Sequence, residues 1–188
     1  MHRRAPLAWL LALAAVLVTA LPAAAQLPSD YRLLPGDQLE ISVWGEEDLQ
    51  RNVLVRPDGR FSFPLVGEVI AYDRTVPDVQ EEMTRSLQNY IPEAVVTVTV
   101  TEVGGNRIYV IGQVPNPGGL VMNPRLNVLQ ALSLAGGMTP FASVNDIIIL
   151  RRTADGQRLL RFRYNDVSRG RDLDQNIVLE AGDVIIVP

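Results

Sequence analysis

The stretch LLPGDQLEISV at residues 33–43 has a counterpart, LEAGDVIIVP, at residues 179–188. Each stretch places a Gly-Asp pair, Gly36-Asp37 or Gly182-Asp183, directly before a run rich in apolar residues. Glycine permits turn conformations that other residues avoid, and aspartate accepts hydrogen bonds from nearby amides. The sequence therefore predicts two units that share a strand beginning at a Gly-Asp turn. A duplicated binding site is the alternative interpretation.

Residues 1–25 have the pattern of a secretory signal peptide. Two arginines precede an apolar run over residues 7–21, and three alanines precede Gln26. We expect a cleaved signal rather than a transmembrane helix, because the apolar run is shorter than the ~20 residues that span a bilayer. The chain contains no cysteine, so we expect a periplasmic protein that carries neither a lipid nor a disulfide.

The composition excludes several kinds of chemistry. The sequence has no lysine and no cysteine, and its one histidine, His2, lies in the predicted signal. We therefore expect no catalytic imidazole, thiolate or Schiff-base lysine, and no P-loop or zinc site. No catalytic residue, metal or cofactor is predicted. After residue 25 the net charge is −6, from 15 arginines against 21 acidic residues, which argues against nucleic acid as a partner.

The first half alternates strand and helix patterns. Apolar residues alternate over 38–44, as in a half-buried strand, and a hairpin is predicted over 52–66 around the turn RPDGR at residues 56–60. The sequence TVPD at residues 75–78 is typical of a capped helix start. An apolar stripe at four-residue spacing then predicts a helix that ends at Pro92, with Val79, Met83, Leu87 and Ile91 on its buried side.

Valine and threonine alternate over residues 96–101, which predicts a further strand. Its threonine face either contacts sugar hydroxyls or is solvated. The sequence Gly104-Gly105-Asn106 then breaks the pattern, so we place a domain boundary there, between an N-terminal domain at residues 26–103 and a C-terminal domain at residues 104–188.

The second half predicts a small sheet around one short helix. A strand at 108–111 is followed by a helix that begins with a capping box at residues 127–130 and ends at Gly136-Gly137, which act as a C-cap or, alternatively, cradle an anion. A hairpin around Asp155-Gly156 and a last strand at 184–187 complete a β-grasp-like outline. The predicted fold class is α+β, with two small domains.

These motifs, in this order, resemble bacterial polysaccharide biosynthesis and export proteins, which join a polysaccharide export domain to a soluble-ligand-binding β-grasp (SLBB) domain. The resemblance is carried by YRLLPGD at 31–37, ISVW at 41–44, VRPDGR at 55–60, FPLVG at 63–67, IYVIGQV at 108–114 and LQALSLAGG at 129–137. The sequences at residues 113–114 and 140–143 are similar to those of short exopolysaccharide exporters associated with exosortase systems. The positions that match the family motifs are Pro35, Gly36, Asp37, Arg56, Pro57, Asp58, Gly59, Gly112, Pro117, Gly118, Gly136, Gly137, Gly182 and Asp183.

The resemblance implies a periplasmic or outer-membrane component of an exopolysaccharide export machine. Such a component is usually a homo-oligomeric ring that works with an inner-membrane polysaccharide co-polymerase, a chain-length or kinase-type partner. Larger capsule exporters carry a lipidated cysteine and a C-terminal amphipathic helix. This sequence has no cysteine and ends at Pro188, just after the last predicted strand, so we expect a periplasmic channel segment or adaptor instead of an autonomous pore.

The alternatives to a ring-shaped conduit are a monomeric periplasmic glycan-binding module and a glycosidase or lyase that uses paired carboxylates. For the enzyme, the carboxylate candidates are Glu46-Glu47-Asp48, expected in an exposed loop, and Glu81-Glu82, expected on the polar face of a helix. For the conduit, which needs no catalytic residue, Arg56, Asp58 and Arg60 either line the lumen or a subunit contact, or form a solvated hairpin tip.

Overall fold

The structure is a computed structural model that describes residues 31–188; the predicted signal peptide lies outside the described residues. The first half contains, in chain order, β1 (Gln38–Val43), β2 (Glu46–Leu54), β3 (Arg60–Phe63), β4 (Gly67–Ile70), α1 (Val76–Leu87) and β5 (Val96–Glu102). The second half contains β6 (Arg107–Gly112), β7 (Gly118–Val121), α2 (Val128–Leu134), β8 (Ile147–Thr153), β9 (Gly156–Phe162), α3 (Tyr164–Val167) and β10 (Val184–Val187), with a 3-10 turn at Leu173–Gln175.

The first sheet has the antiparallel order β2-β1-β5. Its central strand β1 buries Leu39, Ile41 and Val43 on one face, as the alternating pattern predicts. A two-residue turn, Trp44-Gly45, connects β1 to β2, and Gly45 has a φ of 81° that suits such a turn.

The hairpin predicted over residues 52–66 is wrong. Val53 lies in β2 and pairs with Leu39 of β1, whereas β3 pairs with β4 in a separate two-stranded sheet. The chain does turn at residues 56–60, where the Arg56 amide donates to the Arg60 carbonyl, but the flanking strands then diverge into different sheets. The same pairing places Glu46-Glu47-Asp48 at the exposed start of β2, and not in the expected loop.

Helix α1 begins where the sequence predicts and ends earlier. The Thr75 side chain accepts from the Asp78 amide and the Asp78 carboxylate accepts from the Thr75 amide, so the capping box is confirmed. The helix ends at Leu87, about one turn before the predicted end at Pro92. Proline restricts the residue before it, so Ile91 leaves the helix, although it still packs against the core.

The second sheet has the order β7-β6-β10-β8-β9, in which β6 and β10 are parallel and the other neighbours are antiparallel. Helix α2 buries Val128, Ala131 and Leu132 in the same core as the sheet, and a capping box of Asn127 and Gln130 starts it as predicted. The hairpin between β8 and β9 closes at Gly156, also as predicted. This is the β-grasp-like arrangement.

Two separate clusters of buried apolar residues stabilise the described chain. One contains buried residues between Leu33 and Val98, and the other contains buried residues between Ile108 and Val187. The α+β class with two small domains is therefore confirmed. Among residues 31–188, no helix is long and apolar enough to cross a membrane.

Candidate functional site

The first Gly-Asp turn holds a fully buried carboxylate. Asp37 Oδ2 accepts from the Leu34 amide at 2.8 Å and from the Tyr31 hydroxyl at 2.7 Å, and Asp37 Oδ1 accepts from the Gly105 amide at 2.9 Å. Burial and the neighbouring Asp37 carboxylate raise the pKa of the Tyr31 phenol. Because Gly105 lies 68 residues away, at the start of the second half, this carboxylate joins the first Gly-Asp turn to the segment between the two cores.

The second Gly-Asp turn repeats the local geometry and uses a different distant partner. Asp183 Oδ2 accepts from the Glu180 amide at 2.9 Å, as Asp37 does from Leu34 three residues back. The guanidinium of Arg151 donates from Nε to Asp183 Oδ1 at 3.0 Å and from Nη2 to Asp183 Oδ2 at 2.6 Å. The hydrogen bonds to Asp183 raise the pKa of Arg151.

Both glycines of these turns have a positive φ, 101° at Gly36 and 88° at Gly182. Their aspartates make every hydrogen bond described above within the protein, and neither carboxylate is exposed to a ligand, with 0 % exposure for Asp37 and 1 % for Asp183. This geometry supports the interpretation of the repeated phrase as a common way to begin a strand, and it gives no support to a duplicated binding site.

The turn at residues 56–60 carries an exposed cluster of charges. Arg56 Nη2 donates to Asp58 Oδ2 at 2.8 Å and to Glu68 Oε2 at 2.5 Å, and Ser62 Oγ donates to Glu68 Oε1 at 2.5 Å. Hydrogen bonds from Arg56 lower the pKa of both the Asp58 and the Glu68 carboxyl. Pro57 is exposed beside them, and Gly59 has a φ of 77° that closes the turn. The structure thus brings Arg56 and Asp58 together and adds Glu68, which the sequence reasoning missed.

Arg56 is expected to control the titration of this cluster. The carboxyls of Asp58 and Glu68 should titrate below their ordinary range, and Arg56→Gln should raise both pKa values. Because the folded-state pKa values are lowered, the stabilising contribution is present above the ordinary carboxyl range and is lost as the pH falls through the lowered values. NMR titration of the side-chain carboxyl carbons measures this shift. Arg85→Gln, which removes the partner of Glu81 on α1, is the matched control and should leave both values unchanged; equal titration curves for wild type and Arg56→Gln would contradict the assignment.

The family-motif glycines of the second half have distinct structural roles. A Cβ at Gly112 would lie 2.0 Å from the Val187 carbonyl oxygen, so β6 and β10 approach too closely there for any side chain. Gly118 starts β7 beside the exposed Pro117, and an added Cβ there would meet nothing within 4 Å. Gly136 donates to the Ser133 carbonyl and Gly137 to the Leu132 carbonyl, which is the hydrogen-bond pattern of a helix C-cap. These two amides are therefore used within the protein, which supports the C-cap and argues against the anion cradle.

The carboxylates proposed for an enzyme do not form a recognisable catalytic pair. Glu81 pairs with Arg85 on the exposed face of α1, Glu82 pairs with Arg74, and the carboxylates at 46–48 lie on the exposed start of β2. Paired carboxylates in glycosidases need one buried acid with a raised pKa. Within residues 31–188, no group of three or more histidine, cysteine or carboxylate side chains is arranged to hold a metal ion.

The outer face of the first sheet carries an array of hydrogen-bonding side chains. Opposite its buried side, Ser42 pairs with Thr97, and Glu40 lies between Thr99 and Asn52. We define the polar sheet face as Gln38, Glu40, Ser42, Gln50, Asn52, Thr97, Thr99 and Thr101. The threonines predicted to face away from the core are exposed, and Gln50 donates to Glu40 Oε1 at 2.9 Å. A flat array of hydroxyl, amide and carboxylate groups suits weak contacts with many sugar hydroxyls.

Sequence reasoning missed the partners that hold these features in place. Arg151 is 32 residues from Asp183, and Glu68 is 12 residues from Arg56, so no local pattern marks either pair. The Trp44-Gly45 turn had a partial signal, because Gly45 directly follows the alternating run of β1, but residues 46–54 do not alternate and so did not mark the second strand of a hairpin.

Each half of the chain matches a known protein family. Residues 25–101 match the polysaccharide biosynthesis/export protein family, and residues 106–187 match the SLBB domain family. The chain therefore belongs to the bacterial polysaccharide export protein family.

Two kinds of relative match most of this chain. It is 27% identical over 181 residues to the EPS I polysaccharide export outer membrane protein EpsA of Ralstonia solanacearum, a match that covers 84% of this chain and 47% of EpsA. It is 30% identical over 147 residues to the exopolysaccharide production protein ExoF of Rhizobium meliloti, covering 72% of this chain and 32% of ExoF. The chain thus spans about half the length of EpsA and about a third of ExoF.

Proposed function

We propose that this protein is one subunit of a closed periplasmic ring through which an exopolysaccharide passes unmodified on its way to the cell surface. A signal peptide at residues 1–25 directs it across the inner membrane, and an inner-membrane polysaccharide co-polymerase supplies the polymer. The observation that carries the proposal is the match of residues 25–101 to the polysaccharide biosynthesis/export protein family, followed by the SLBB domain match of residues 106–187. The domains on either side of residues 104–106 supply the two surfaces that a ring needs.

Charge supports a contact between unlike halves of neighbouring subunits. Residues 26–103 contain six arginines and 14 acidic residues, a net charge of −8, whereas residues 104–188 contain nine arginines and seven acidic residues, a net charge of +2. Opposite charge favours a heterologous contact, in which the first half of one copy meets the second half of the next. Such contacts generate a ring when the rotation between copies closes.

Two open sheet edges offer a place for this contact. Strand β2 is an edge of the first sheet and begins with the exposed carboxylates of Glu46, Glu47 and Asp48. Strand β9 is an edge of the second sheet and carries the exposed Arg158 and Arg161. Unpaired strand edges readily pair with another chain, and unlike charges would favour this pairing over β2 with β2 or β9 with β9. The proposed interface joins β9 of one subunit to β2 of the next.

A closed ring should have one discrete native mass, and its assembly should depend on the charges of the β2 and β9 edges. Purified exported protein should show one defined multiple of the subunit mass by mass photometry, and Arg158→Glu with Arg161→Glu should shift it to the monomer through like-charge repulsion. Adding Glu46→Arg and Glu47→Arg to the same chain should restore the multimer, since the charges are then exchanged. The matched control reverses two exposed arginines outside both edges, Arg85 and Arg169, and should keep the wild-type mass.

Export in cells is the accompanying measurement. Cells that lack the gene should fail to bring polymer to the surface while its repeat unit stays unchanged, and the control chain with reversed Arg85 and Arg169 should restore export. A strictly monomeric protein in cells that still export would favour the glycan-binding module. Polymer shortened by the purified protein, with that activity lost when one carboxylate is changed to an amide, would favour the enzyme.

A further inference from the structure

The side chain of Trp44 is exposed on a rigid part of the structure. It is 85% exposed and belongs to neither buried cluster, so the described fold draws no packing energy from it. Its backbone is nevertheless fixed, because the Trp44 amide donates to the Val95 carbonyl at 2.9 Å and the two-residue turn continues directly into β2. A large aromatic side chain that is carried on a fixed backbone and left uncovered is typical of a binding surface.

The surroundings of Trp44 are polar and acidic. A shallow depression of about 460 Å³ lies beside the ring. Its polar lining comes from Ser42, Thr97, Gln50, Glu46 and Glu47, and no arginine lines it. The depression therefore offers one apolar plate together with hydroxyl, amide and carboxylate groups, and its net charge is negative.

This combination selects one chemical class of ligand. A pyranose ring has a face of C–H groups that is apolar and weakly positive, which complements the negative face of an indole, and its hydroxyls donate to carboxylates and amides. A uronate or sulfated sugar would bring a further negative charge beside those of Glu46 and Glu47 and would be repelled. We propose that Trp44 and this depression form a stacking site for the neutral pyranose units of the exported polymer, an inference that rests on the proposed function.

The polar sheet face extends the site in one direction. Ser42 and Thr97 belong both to the depression and to the polar sheet face, and Glu40 and Thr99 form the next cross-strand pair. Strand residues of one face repeat every second position, so these pairs form a regular ladder of oxygen atoms away from Trp44. A polymer stacked on Trp44 can therefore place its following units over this ladder. Many weak contacts of this kind let a chain slide.

Intrinsic fluorescence tests the site directly. The sequence has two tryptophans, Trp9 and Trp44, so Trp9→Phe makes Trp44 the only one whether or not the signal is removed. Cellohexaose and mannohexaose are the neutral probes, and hexagalacturonate is the anionic one. We expect saturable changes in Trp44 emission with the neutral hexamers at a Kd of about 1 mM, and at least ~10-fold weaker binding of hexagalacturonate.

Substitution of Trp44 tests whether its indole ring is responsible for the binding. Binding to these variants is followed by the NMR shift of the Thr97 amide. Trp44→Leu should weaken binding of the neutral hexamers at least ~10-fold, and Trp44→Phe should weaken it less because a smaller aromatic face remains. Phe141→Leu is the matched control, since Phe141 is 84% exposed in the second half, and it should bind as wild type does. Glu46→Gln with Glu47→Gln should narrow the discrimination against hexagalacturonate.

Two results would overturn the site. These are no response to either neutral hexamer up to about 10 mM, and binding of hexagalacturonate as tight as that of the neutral hexamers. Native mass and export are measured on the same variants. If the protein is multimeric and exports polymer but Trp44 emission does not respond to the hexamers, the stacking site alone is overturned. If the protein is monomeric and binds the neutral hexamers, the oligomeric ring alone is overturned.

Discussion

Replacement of Asp183 by alanine is expected to lower the free energy of unfolding by about 3–5 kcal/mol, because it leaves a partly buried charge without its partner. The Asp183 carboxylate is 1 % exposed, and the side chain of Arg151 is 15% exposed. Arg151 donates two hydrogen bonds to this carboxylate, and the Glu180 amide donates a third. Urea unfolding followed by circular dichroism measures the loss as a lower midpoint at an unchanged slope.

Glu180→Gln is the matched control for this prediction. The Glu180 carboxylate pairs with the same arginine, from Arg151 Nη1 at 2.5 Å, but it is 64% exposed. Solvent screens such a pair, so its loss should cost at most about 1 kcal/mol. If Asp183→Ala and Glu180→Gln lowered stability equally, the buried pair would not be the interaction that fixes the second Gly-Asp turn.

The two Gly-Asp turns show what a sequence reveals about such a site. The turn itself is local: glycine, aspartate and the amide three residues back lie in one short stretch, so the repeated phrase predicts it correctly in both places. The partner outside the turn is not local. Asp37 receives the Gly105 amide and Asp183 receives the Arg151 guanidinium, and this difference could not be predicted from two nearly identical phrases.

The starts of the two longer helices, α1 and α2, were predicted well for the same reason, whereas the short helix α3 was not predicted. The capping boxes at Thr75 and Asn127, and the C-cap at Gly136-Gly137, are each defined by residues within one or two turns of a helix end. Pro92 accounts for a helix that stops before Ile91, whereas the observed end at Leu87 has no such local signal.

Strand pairing was predicted less well, because it depends on which distant segments meet. The alternating patterns located β1, β5 and β6 correctly, but they did not specify that β2 pairs back onto β1 and leaves β3 to pair with β4. The two runs on either side of residues 56–60 resemble a hairpin locally. The competing turn at Trp44-Gly45 closes a shorter loop, and it gives β2 a partner before the chain reaches residue 56.

The candidate stacking site illustrates the same limit on a functional surface. From sequence, Trp44 is only the last residue of the matched stretch ISVW at 41–44, directly after the alternating run. Only its position in a two-residue turn places the ring in solvent, next to the acidic start of β2 and the polar sheet face. The functional interpretation therefore depends on the strand pairing that local patterns did not predict.

Gly112→Ala is expected to destabilise the protein by about 3–5 kcal/mol, through a left-handed backbone and a steric clash together. Gly112 has a φ of 97°, and an added Cβ would lie 2.0 Å from the Val187 carbonyl oxygen. That oxygen also accepts from the Gln113 amide at 2.7 Å, so moving it away would disrupt the parallel pairing of β6 with β10. Gly182→Ala is the matched control: Gly182 has a φ of 88° with nothing within 4 Å of its added Cβ, so it should lose only about 1–2 kcal/mol. Thermal and urea unfolding of the two variants measure the difference, which isolates the clash. Equal losses would show that β10 can move aside at Gly112, and that the close approach of these two strands does not constrain the second core.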